Sequence, residues 1–151
     1  MQKTVNTQLA FGVVGDFYDN SPRIVDPKIV SGGAIGLYFT IDTTNPAEAN
    51  LGGTGVLGGI AVNSKEYALA GLEPSLSFTD GQIAHIASRG RVIVKSTTAV
   101  TVGQAGFYNT TTGVIASGTS GSSMAGFAEI PNSVFVEVNA LANEVAVLQL
   151  G

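Results

Sequence analysis

At 151 residues and 15.3 kDa the chain is one domain's length, enough to bury a real core, yet only 12% of it is charged, about half the usual share. A net charge of −4, with only Arg89, Arg91 and Lys95 close together, excludes a surface built for nucleic acid, which needs clustered cations. The absence of cysteine excludes a disulfide framework and a thiolate zinc site, and leaves the redox compartment open.

Mean hydropathy is +0.32, but no apolar run approaches the ~18–20 residues of a membrane helix. A globule of this mass exposes about 7,000 Å², so its charged side chains stand about one per 400 Å². So thin a coat implies that much of the surface faces other protein. A Ser/Thr-rich, weakly charged extracellular β domain is the competing reading.

Residues 1–30 read as an extended arm, and 31–151 as a single β domain. The first twenty residues hold one Lys and no apolar h-region, so they do not form a secretory signal. Leu9–Gly15 is apolar but broken by glycines, Asp16–Pro22 is turn-rich, and Pro22 and Pro27 hold their predecessors extended. An arm with Phe11, Phe17 and Tyr18 and little periodicity must bury itself elsewhere, on its own barrel or on a neighbour.

Gly36–Ile41 is a strand, rich in aromatic and β-branched residues, and Asp42–Asn50, with Asn45-Pro46, a polar loop. Gly53-Thr54-Gly55-Val56-Leu57-Gly58 satisfies a dinucleotide fingerprint formally. Its context is wrong, because a strand (Ile60–Val62) follows where a long helix is required. The spacing predicts one short helix over Asn63–Ala70, capped by Asn63 with Glu66 and closed by Gly71. Leu72–Asp80 is loop and short strand.

Gln82–Ala87 and Arg91–Lys95 alternate as strands, and Ala99–Val102 continues with Val100 and Val102 on one face. Phe107–Ile115 is a hairpin, with a type I turn over the threonines and Gly113 supplying the positive φ of a bulge. Ser117–Ala125 is a Gly/Ser loop, followed by strands at 127–130, 134–138 and 145–150. Many short strands with glycine turns make an all-β fold: a small barrel or sandwich of short antiparallel strands with one short helix.

Chemistry has little to stand on. The single histidine, His85, lies in an alternating strand, where a half-buried imidazole outweighs a catalyst. Asp16 and Asp19, with Asp26 further on, offer carboxylates to a metal, but the same acids cap turns beside Asn20-Ser21-Pro22. Trp is absent and Tyr numbers four, a poor supply of sugar-stacking platforms. The expectation is no catalytic, metal or cofactor residues.

The blocks Ala10–Arg23 (AFGVVGDFYDNSPR), Gly52–Gly71 (GGTGVLGGIAVNSKEYALAG) and Arg89–Ile115 (RGRVIVKSTTAVTVGQAGFYNTTTGVI) together resemble the structural cement, or head decoration, proteins of tailed bacteriophages. Order and spacing fit over nearly the whole chain. The resemblance implies a non-enzymatic β-rich subunit on the outer surface of the phage head. There it would bind the major capsid protein and itself, as a homodimer or homotrimer, with no membrane or nucleic-acid partner. The runner-up is a virion- or cell-surface β module for a glycan or receptor. Contact residues follow from the sequence instead: Phe11, Phe17, Tyr18, Arg23, Gly53, Gly55, Leu57 and Tyr67 are aromatic, basic, apolar or glycine positions outside the periodic core.

Overall fold

A computed structural model describes residues 12–63, 77–138 and 142–151. Among them the chain is all-β: β1 (Ile24–Val30), β2 (Tyr38–Ile41), β3 (Glu48–Leu51), β4 (Val56–Val62), β5 (Gln82–Lys95), β6 (Ala105–Asn109), β7 (Ile115–Gly118), β8 (Phe127–Glu129), β9 (Val134–Val138) and β10 (Val145–Leu150). Beyond Asn63 itself, the helix expected over Asn63–Ala70 lies outside the described residues.

Five strands close a barrel in the order β1-β3-β2-β4-β5, with β1 returning to pair β5. Closure removes the exposed edges that short strands would otherwise present. The inward row on β5 is Ala84 and Ile86, which meet Val30, Phe39 and Ala61 in the barrel core. A separate three-stranded sheet, β7-β6-β8, packs beside it.

The strand that joins these parts is β5. The sequence reads as two strands, 82–87 and 91–95, but they run as one of fourteen residues. Its first half pairs β1 and β4, and its second half pairs β10, which carries β9. Gly90 makes the passage possible. It sits at φ 126°, and a Cβ there would come within 3.1 Å of the Phe17 ring and 3.2 Å of Arg23 Cβ.

Residues 15–18 also lie on the second half of β5. Gly15 N–H donates to Ile93 O at 2.8 Å, Ile93 N–H to Asp16 O at 2.9 Å, and Tyr18 N–H to Arg91 O at 2.9 Å. Val92 and Val94 then share a second core with Tyr108, Ile115, Phe135 and Leu148, where β5, β9 and β10 meet the small sheet.

Two local expectations need correction. Glu48–Leu51, which overlaps the end of the polar loop expected over Asp42–Asn50, is a strand; only Ala49 is buried, and parallel pairing to β1 with antiparallel pairing to β2 holds it. Ala99–Val102 is not a strand. Val100 is buried and Val102 is 60% exposed, because hydroxyls take the backbone bonds there: Thr98 Oγ1 accepts from Ser117 N–H (2.8 Å) and Ser117 Oγ donates to Ala99 O (2.9 Å). The hairpin matches its expectation, with Gly113 at φ 69° and Asn109 Oδ1 accepting from Thr111 and Thr112 N–H at 2.8 and 2.9 Å.

Candidate interaction surfaces

The Phe17 ring lies against the joint at Gly90, half-buried on the second core, and the Arg23 guanidinium stacks over it at 4.6 Å from the centroid. Tyr18 is half-buried beside β5. Asp19 accepts from Arg91 Nη1 at 3.1 Å, and Arg91 Nε donates to Gln149 Oε1 at 3.1 Å. Ser21, whose N–H donates to Asp19 Oδ1 at 2.9 Å, and then the Arg91 guanidinium hold the Asp19 carboxyl below its ordinary range. The segment from 15 to 23 is thus tied to the body at each of its turns.

The glycine loop before β4 faces the small sheet. Gly53 N–H donates to Thr110 O at 2.7 Å, and Tyr108 Oη donates to Gly53 O at 3.1 Å. Gly55 is exposed, and Leu57, on β4, is 43% exposed. Of the glycines that satisfied a fingerprint on paper, Gly53 thus has both its N–H and its C=O bonded to protein, and Gly58 lies inside β4. Phe11 and Tyr67 lie outside the described residues.

The acids are separated by their partners. Asp16 Oδ1 accepts from Asn63 Nδ2 at 3.2 Å, Asp19 serves Arg91, and Asp26 lies on β1 opposite Ile86. Among the described residues no three His, Cys, Asp or Glu side chains group as a metal site would require. His85 is half-buried on β5, opposite Pro27 and Val62. No described helix is long and apolar enough to cross a membrane.

Sequence reasoning missed one surface. Ile29 and Ile83 sit opposite each other on β1 and β5 and face solvent at 41% and 53% exposure. The signal lay in β5 itself: the small Ala84 points inward while its large neighbour Ile83 points out, so residue size there misleads about parity.

A closed five-stranded barrel, a strand shared with a second sheet, and exposed apolar and arginine-bearing surfaces define a small structural β module. The comparisons agree. The model of the structural cement protein family (E217 gp24/Pam3 gp6) matches residues 1–151, and the chain belongs to that family. No curated protein matches. Among solved structures, a chain from the capsid of Myoviridae phage XM1 is similar at TM-score 0.72 and 16% identity, over 100% of this chain and 97% of that one. The head fiber gp8.5 N base of bacteriophage phi29 is similar more distantly, at TM-score 0.46 and 9% identity, over 86% of this chain and 95% of that one. Membership places the protein among structural components of the phage virion, associated with its capsid shell.

Proposed function

We propose that this protein decorates the outside of the mature phage head, binding major capsid protein subunits across their contacts and holding them together. The whole-chain match to a cement family carries the reading. The sparse charge and the apolar residues left on the surface support it.

The action is mechanical. A protein that binds several shell subunits only in their expanded arrangement stabilises that arrangement by mass action. Repetition over a fixed lattice raises the effective concentration of each further contact. Area and complementarity suffice, so the role is non-enzymatic, and a homodimer or homotrimer would span a junction better than one copy. Of the residues put forward for contact, Arg23, Gly55 and Leu57 are exposed, whereas Phe17 supports Arg23 from beneath.

The test is to assemble heads without this protein, add it back, and image them while following head rupture on heating. Occupied, regularly spaced sites on the outer surface with delayed rupture are expected. Heads that stay bare, or rupture unchanged, would overturn the reading.

A further inference from the structure

We propose that one end of the molecule forms a single trough that takes an extended, carboxylate-bearing segment of the shell protein, its acidic part lying at Arg89 with Arg23 at the rim. The proposal rests on the capsid-binding reading and adds which surface does the binding and what chemistry it recognises.

Three depressions build the trough. One of about 240 Å³ is the barrel mouth, between Asp26, Lys28, Ile41 and Leu57, its two charges opposed. The next, about 220 Å³, runs beneath Leu57, Ile130 and Pro131 toward Leu150. The third, about 220 Å³, lies between Pro22, Arg89, Arg91 and Leu150. Leu57, Gly58 and Ser88 line both the first and the second, and Leu150 and Gly151 line both the second and the third. Shared walls set the three side by side. Each alone is smaller than the roughly 300–1,000 Å³ of a small-molecule site, and the shape suits a chain laid along the surface.

The chemistry changes along the trough. Its middle is apolar, with Leu57 exposed above Ile130 and Leu150. Its far end carries arginines: Arg89 and Arg91 line it, with Asp19 paired to Arg91, and Arg23, next to Pro22 in the chain, packs beside Gly90 at its rim. Two of the arginines are held in place before any partner arrives, Arg23 by the Phe17 ring at 4.6 Å and Arg91 by Asp19 and Gln149 at 3.1 Å each. Arg89 projects beside Gly151 and forms no ion pair among the described residues. Fixed guanidinium groups next to an unpaired one suit a carboxylate, which accepts them at little ordering cost. The N-terminal stretch of a second copy is the wrong occupant on charge, since residues 1–11 carry Lys3 and no acid.

The experiment measures binding to heads lacking this protein, across a series of salt concentrations. The variants are wild type, Arg23→Gln/Arg89→Gln, Arg23→Lys/Arg89→Lys, and Val102→Ser at an exposed position outside the trough. The glutamine pair is expected to weaken binding about tenfold or more and to flatten its salt dependence; the lysine pair, which keeps the charge but loses the planar fork and the ring stack, keeps the salt slope with an intermediate loss, and Val102→Ser stays near wild type. Wild type that ignores the heads would sink the capsid reading. Wild type that binds, with the glutamine pair binding equally and at the same salt slope, would sink the trough alone. A photo-crosslinking benzoylphenylalanine in place of Leu57, with both arginines intact, reads the occupant directly. Cross-links to an acidic stretch of the shell protein support the proposal; cross-links to residues 1–11 of another copy, or none on decorated heads, overturn it.

Discussion

The rings of Tyr38 and Tyr108 stack with 4.2 Å between centroids and 21° between planes, one from the barrel and one from the three-stranded sheet. Tyr38 N–H donates to Gly113 O at 2.8 Å, so the hairpin tip and the ring pair clasp the same spot. Burial pushes both phenols above their ordinary value, and at Tyr38 the neighbouring Tyr108 adds to the rise.

That shift has a sign. In the unfolded chain each phenol ionises near pH 10, whereas in the folded one it resists, so ionisation favours unfolding. The stabilisation is therefore complete below about pH 10 and is lost as pH climbs beyond it. Melting temperatures of wild type should fall steeply above that point, and Tyr108→Phe should fall less steeply. Tyr108→Phe should also cost about 1 kcal/mol at neutral pH for the missing bond to Gly53 O. Parallel alkaline curves for the two proteins would contradict this.

Gly90→Ala should cost about 1–3 kcal/mol, because a side chain is strained at that φ and meets both Phe17 and Arg23. Urea unfolding gives the cost. Hydrogen exchange should show the amides of Gly15 and Tyr18, which bond to β5, losing protection more than those of the barrel strands. Protection falling equally everywhere would mean that the arm is not seated by this joint.

Asp42 caps the turn before β3. The N–H of Asn45, the Asn50 amide and the N–H of Thr44 hold its carboxyl below the ordinary range. A lowered carboxylate stabilises the fold above its unfolded pKa and stops doing so as pH drops through its folded one. The difference in melting temperature between wild type and Asp42→Ala should accordingly be largest near neutrality and shrink in acid. A gap independent of pH would refute the role.

Ser117→Ala removes the hydroxyl that donates to Ala99 O and lies 2.9 Å from Thr98 Oγ1, in a site only 5% exposed. Its loss should cost about 1 kcal/mol. Heteronuclear relaxation should then show the 96–102 connection moving faster than in wild type. Unchanged order there would assign the path of that connection to packing of Val100 instead.

What the sequence made legible follows a physical line. Alternation located β5 and β9, apolar runs located β10 and the end of β4 at 60–62, and turn chemistry located the hairpin through Asn109 and Gly113. β3 stayed hidden because Glu48–Leu51 becomes a strand only by lying between two others, and nothing in EANL says so. Val100 and Val102 misled for the opposite reason, since three hydroxyls outside the apolar pattern divert the backbone. Ile29 and Ile83 could not be recognised as a surface pair, because their closeness depends on a register between strands more than fifty residues apart. The trough was equally invisible, its walls coming from β1, β2, β4, β5, β10 and the connections between them.

Gln82–Lys95 belongs by covalent continuity to both the barrel and the β9–β10 layer. A tug delivered to either half is passed on through peptide bonds, with no seam of side chains in between that could slip. The two halves should thus melt as a single cooperative body, and whatever grips one of them has, in effect, taken hold of the other.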